Sequence, residues 1–372
     1  MRAALPTPAP SPAEPGPAAA RAPRDARRAR GAALWFGVSS VGVSWFGGVV
    51  LAAAGALPRQ GPPAAAPDDA RALDALGQWQ LAHGHVGAAR AATGRALALR
   101  PADALVLLHL GEIELLRAGV PGQAARLADA RAALERSRTD PAVEARACER
   151  LAEIDALEGK SEDARTHLEA ALRREPSSAR AQARLGRAEL ELGALARART
   201  AFERATELDP RASDAWSGLG RVRFLQDAPN DAAELFRRAL ALEPDLIEAN
   251  ALLGRIQETH GAKAEAELAY RRALAVAPDR PDALQVDTLY ALGALLSSAG
   301  RGDEALRYLE RVVELRPDPP HVRAHLESAR LHLARGEPEL ARARVEAVLR
   351  ANPAQPEARA LLERLEPGPG PR

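Results

Sequence analysis

From residue 69 onward, apolar positions recur at three- and four-residue steps with arginine and glutamate between them. AFERATELDP (201–210), LFRRALALEP (235–244) and AYRRALAVAP (269–278) show the pattern, and a proline closes each run. Such spacing predicts amphipathic helices, and proline ends them because it lacks an N–H and clashes with the preceding turn. The closing prolines are Pro101, Pro141, Pro176, Pro210, Pro244, Pro278, Pro317 and Pro353, at intervals of 40, 35, 34, 34, 34, 39 and 36 residues. Three consecutive steps of 34 mark an internal repeat. Residues 31–58 break the pattern: GAALWFGVSSVGVSWFGGVVLAAAGALP holds no charge and is apolar all round.

Within the repeats the landmarks keep phase. Leu-Gly stands at Leu76-Gly77, Leu110-Gly111, Leu185-Gly186, Leu219-Gly220, Leu253-Gly254 and Leu292-Gly293, and a second glycine follows seven residues later at Gly84, Gly193, Gly261 and Gly300. Alanines recur at Ala198, Ala232, Ala266 and Ala305, and bulky residues at Phe202, Phe236, Tyr270 and Leu309. This resembles the tetratricopeptide repeat, whose order is Trp, Leu-Gly, Gly, Ala, aromatic, Ala, Pro. Residues 211–244 match it with Trp216, Leu219, Gly220, Ala232, Phe236, Ala239 and Pro244. Asp227 replaces the turn glycine there, and Ala152 and Ala329 replace the Leu-Gly glycine in two units. The second unit is about six residues too long, and the seventh carries about five extra residues before its Leu-Gly. The resemblance implies an all-α, right-handed superhelical solenoid of about eight helix–turn–helix repeats over residues 69–365. Residues 354–365 are the expected C-terminal capping helix and 366–372 a disordered tail. One helix pair cannot bury its apolar face alone, so neighbours must stack.

Residues 1–30, rich in Pro, Ala and Arg, are expected to be a disordered basic tail. The 31–58 stretch exceeds the roughly 20 apolar residues that span a bilayer, so it is expected to be a transmembrane signal-anchor helix. Arg21, Arg24, Arg27, Arg28 and Arg30 precede it, whereas Arg59 and Arg71 follow. The positive-inside rule then puts the N-terminus in the cytoplasm and the repeats in the periplasm of a single-pass inner-membrane protein. The alternative is a cleaved signal and a secreted or periplasmic product. Residues 59–68 are a short linker. Ser40, Ser44, Gly48 and Ala52 form a small-residue stripe that suits a homodimer through the membrane helix.

Charge narrows the partners. The chain has 51 basic and 50 acidic residues. Six arginines against Glu14 and Asp25 sit in residues 1–32, so the rest is slightly acidic. A nucleic-acid binder would concentrate basic charge on its folded part, so none is expected. Cys148 is the one cysteine, which excludes an intramolecular disulfide. Gly159-Lys160-Ser161 ends like a phosphate loop, but Ile154 stands where the earlier glycine belongs. His321, His325 and His332 could share a helix face, yet no metal-ligand motif accompanies them. No catalytic residue, cofactor or metal is expected, and Trp216 and the recurring aromatics are expected in the core.

One constellation points to recognition. Leu-Gly-Arg places Arg187, Arg221 and Arg255 in identical phase, and Arg330 holds the same slot in the eighth unit. In the family this slot lines the concave groove, so these four are the candidate site for a protein or peptide partner, an acidic one. The competing view pairs them with groove acids such as Asp214, Glu248 or Glu258. The chain is thus expected to be a non-catalytic, membrane-anchored scaffold in an envelope assembly process. The alternative is an accessory subunit presenting substrate to a separate envelope enzyme of the polysaccharide or cytochrome biogenesis type.

Overall fold

The computed structural model describes Pro63 and residues 68–118, 124–275, 282–316 and 321–365. These fold into helices with no strand among the described residues. Eight antiparallel pairs follow one another: α1 (Ala70–Ala82) with α2 (Val86–Leu99), α3 (Ala104–Ala118) with α4 (Ala124–Ser137), α5 (Glu144–Leu157) with α6 (Ser161–Arg174), and α7 (Ala179–Glu191) with α8 (Leu195–Leu208). Next come α9 (Ser213–Leu225) with α10 (Pro229–Leu242), α11 (Ile247–Thr259) with α12 (Lys263–Ala273), α13 (Ala283–Ser298) with α14 (Gly302–Leu315), and α15 (Val322–Ala334) with α16 (Pro338–Ala351). A single helix, α17 (Pro356–Leu365), covers the last pair. The tail at 1–30, the apolar stretch at 31–58 and the 366–372 segment lie outside the described residues. No helix among the described residues is long and apolar enough to cross a membrane.

The glycine of each Leu-Gly pair sits where its helix crosses its partner. A Cβ on Gly186, Gly220 or Gly254 would come within 2.8 Å of the ring of Phe202, Phe236 or Tyr270 from the same repeat. Phe202 also lies against Gly218 of the following repeat, so the bulky residue fills space within its own unit and toward the next. The resulting cores span unit boundaries. One joins Ala183 and Leu190 of α7, Ala198, Phe202 and Ala205 of α8, and Ala215, Leu219 and Val222 of α9. Trp216 is an exception to the expected burial: it is half-buried, donates from Nε1 to the Pro210 carbonyl (3.0 Å), and lies under the Arg238 guanidinium 3.7 Å from its ring centre.

Between the helices of the first pair and of the third to eighth, the chain turns through one residue at positive φ, which glycine adopts without a Cβ clash. Gly159 does so at 72°, and Asp227 holds the same place at 58° in the fifth repeat. Both irregular units show where their extra residues go. In the second, Leu134 packs on Gly111 from 23 residues on, where 16 separate Gly186 from Phe202, so the extra residues lie between those two positions. In the seventh, α13 starts early, behind a capping box in which Asp282 and Gln285 bond each other's backbone N–H.

Candidate functional site

Successive first helices approach one another along α1–α3–α5 and α7–α9–α11–α13–α15, whereas the backbones of successive second helices lie farther apart and meet through long side chains such as Arg344 of α16 and Glu310 of α14. The stack therefore curves with its first helices on the inner face. The slot after Leu-Gly and its neighbours one turn away lie on that layer.

At the N-terminal half, side chains of adjacent first helices join in hydrogen bonds and ion pairs. Asp74 of α1 bonds His109 of α3 at 2.8 Å. Glu112 of α3, 8% exposed at its side chain, accepts from Arg146 (Nε 2.8 Å, Nη2 2.7 Å) and from Arg150 Nε (3.0 Å), both on α5. Arg150 also donates to Glu153 at 3.0 Å, and Glu153 accepts Arg184 of α7 at the same distance. Glu149 accepts Arg180 Nε (2.8 Å) and the Ser178 hydroxyl (2.9 Å). Burial pushes the Glu112 carboxyl up, but Arg150 and Arg146 outweigh it and hold it below the ordinary glutamate value. Burial also lowers Arg150, yet Glu153 and Glu112 leave it above its ordinary value.

The four candidate arginines do not share one environment. Arg187 is half-buried on α7. Arg221 donates to Glu248 of α11 at 3.0 Å and lies 3.7 Å from Glu191 of α7. Arg330 bonds Glu327 of its own helix (3.1 Å) and Glu357 of α17 (3.2 Å). Arg255 is exposed, makes no ion pair among the described residues, and sits 5.5 Å from the Phe224 ring of α9. Beside Phe224, Leu225 is 52% exposed. The expected pairing of the ladder with groove acids thus occurs at Arg221 through Glu248; Glu258 instead accepts the Tyr270 hydroxyl at 2.7 Å.

The other candidate motifs resolve into structure. Gly159 occupies the α5–α6 turn and Lys160 pairs with Glu158 at 2.8 Å. His321, His325 and His332 lie on one helix, and no group of three potential metal ligands forms among the described residues. Cys148 is buried, and burial pushes its thiol up, away from the reactive thiolate.

A stack of helical hairpins with small residues at the crossings and a lined inner face defines an all-α helical-repeat protein. Family models of the tetratricopeptide repeat match residues 158–207, 195–247 and 229–281, and a further one matches 296–365. The chain belongs to the tetratricopeptide-repeat family. No curated protein matches it. Among solved structures, Pseudomonas aeruginosa PilF is similar at 19% identity and a TM-score of 0.52, covering 61% of this chain and 99% of PilF. YrrB, a repeat protein described with an unusual peptide-binding site, is 20% identical over 53% of this chain and 97% of its own, with a TM-score of 0.44. MamA is 23% identical over 48% of this chain and 95% of its own, with a TM-score of 0.37. At these identities the likeness is one of fold.

Proposed function

We propose that the chain is a non-catalytic, membrane-anchored scaffold whose inner face holds a segment of a partner protein during assembly in the cell envelope. The observation that carries this reading is the patch on α9 and α11. Arg255 is exposed with no ion pair among the described residues, beside the Phe224 ring and the exposed Leu225. A guanidinium on an aromatic face keeps its planar fork free for a carboxylate, so the patch suits a partner segment with an acidic residue next to an apolar one. The uncharged 31–58 stretch, with five arginines just before it, supports an inner-membrane anchor with the repeats in the periplasm. The stripe Ser40, Ser44, Gly48 and Ala52 supports association of two copies within the membrane.

The test separates the rungs. A photoreactive residue at Leu225 should crosslink to a partner in intact membranes, and Arg255→Glu should reduce that crosslink well over tenfold while leaving thermal stability unchanged. Arg221→Glu should instead lower stability, because it sets a glutamate against Glu248 and Glu191. Equal crosslinking with Arg255→Glu would refute the acidic partner. Equal crosslinking from Leu242, on the outer layer, would refute the groove.

A further inference from the structure

Helix α15 joins the seventh repeat to the eighth, and its histidines are placed in ways that depend on their protonation. His321 caps its N-terminus: Nδ1 accepts the Ala324 N–H at 3.1 Å, and the ring lies 4.9 Å from that of Tyr290 on α13. An imidazolium has no lone pair on Nδ1, so this cap exists only with a neutral ring. One turn on, His325 is 3% exposed, no side chain bonds either ring nitrogen, and the one backbone group that favours a charged ring is that of Arg344. A charge on it would be buried beside the Arg344 guanidinium, a cost that Glu310 and the Arg344 backbone do not offset.

The groups around the two rings come from every neighbouring helix. Asp287 of α13, Arg316 at the end of α14 and Arg323 of α15 face His321; Arg344 of α16, Glu310 of α14 and His321 itself face His325. Glu310 is the acid that could neutralise a charged His325. Its carboxylate is already taken by Arg344, by the Ser328 hydroxyl and by His332, whose other ring nitrogen meets Glu337 at 2.6 Å.

We propose that His321 and His325 make α15 an acid-sensitive latch, whose protonation releases the eighth repeat and α17 from the seventh. This goes beyond the scaffold function and does not depend on the partner. Because α15 carries Glu327 and Arg330, release would open the C-terminal end of the inner face. Burial holds both rings below the ordinary value of 6.5, with Arg316 and Arg323 adding to it at His321 and Arg344 at His325, against Asp287 and Glu310. The sign follows from proton binding. Below 6.5 the unfolded chain takes up protons that the folded one refuses, so the stability is complete above that value and falls as the pH drops through it. Each ring that stays neutral in the fold contributes roughly tenfold in the opening equilibrium per pH unit.

Amide exchange of the full chain in detergent at pH 7.5 and 5.5, corrected for intrinsic rates, tests this. Protection of α15–α17 should fall by roughly tenfold or more relative to α7–α10. The variant His321→Ser with His325→Leu should keep its protection at pH 5.5. Ser178 already caps α7 through its hydroxyl, and three of the seven repeat-equivalent slots of His325 hold leucine, at Leu73, Leu107 and Leu289. Unchanged wild-type protection at pH 5.5, or the same loss in the variant, would overturn the proposal. Should the variant misfold, the histidine Cε1 resonances of the wild type decide: two rings titrating below 6.5 support the latch, and ordinary titration of both overturns it.

Discussion

Removing the charge of Glu112 should loosen the N-terminal half of the stack. In Glu112→Gln one amide oxygen must replace a carboxylate that accepts three hydrogen bonds from two guanidinium groups. The new amide N–H2 group would point at donors. Breaking a buried pair from one side typically costs about 3–5 kcal/mol, but two features reduce that here. Arg150 keeps Glu153 at 3.0 Å, and Arg146 is 46% exposed and can turn to water. A loss of about 2–3 kcal/mol follows, close to one charged hydrogen bond left unmade in a buried site. Repeat arrays open locally, so the measurement is amide exchange resolved by helix. Amides of α3 and α5 should lose that protection while those of α11–α14 keep theirs. Since the folded Glu112 value lies below the ordinary 4.5, the wild-type advantage is complete above that value and vanishes as the pH falls through the folded one. A loss under about 0.5 kcal/mol at pH 7, within the range of ordinary surface substitutions, would refute the reasoning.

Asp227→Gly should stabilise the fifth repeat by about 0.5–1 kcal/mol, because an L-residue at φ 58° is disfavoured where glycine is not; helix-resolved exchange of α9 and α10 reads the gain. Fusing a reporter that works only outside the cytoplasm after Arg372 should give an active product that retains residues 1–58. A mature N-terminus near Gly55 or Leu57 would instead establish a cleaved signal.

The repeat landmarks were legible because each is a property of one slot: a glycine where a Phe ring arrives, a turn residue at positive φ, a proline after a helix. Asp227 was legible for the same reason, as the residue standing where the pattern wants glycine. The inner ion pairs were harder to see because they join different slots of neighbouring units. Arg146 and Glu112 lie 34 residues apart, and the same spacing separates Arg344 and Glu310 on the second helices α16 and α14. The usable signal is therefore opposite charge about one repeat away, whereas the arginine ladder follows like charge one repeat away. The long spacing from Gly111 to Leu134 has no such signal, because the extra residues of the second unit can be absorbed in either helix or in the turns. Nor is the isolation of His325 visible in sequence, since it depends on Glu310 being occupied by three other side chains.

The slot after Leu-Gly acquires its meaning from what the next repeat offers it. In the second and third units it holds Glu112 and Glu153, and the following first helix supplies Arg150 and Arg184. In the fifth and eighth it holds Arg221 and Arg330, and the following helix supplies Glu248 and Glu357. The sign reverses along the solenoid, but the arrangement is the same: a charge on one first helix met by its opposite on the next. Shared phase among the arginines is thus a consequence of the repeat, and at two of the four, Arg221 and Arg330, the charge is met by an acid of the following unit. In the sixth unit the slot holds Arg255, and among the described residues no acid meets it. Its guanidinium lies instead near the Phe224 ring of the preceding helix, exposed to whatever enters the groove. A slot whose charge no acid of the next unit meets is where the inner face has charge to spare, and the acidic partner proposed above would bind there without displacing one of the protein's own carboxylates.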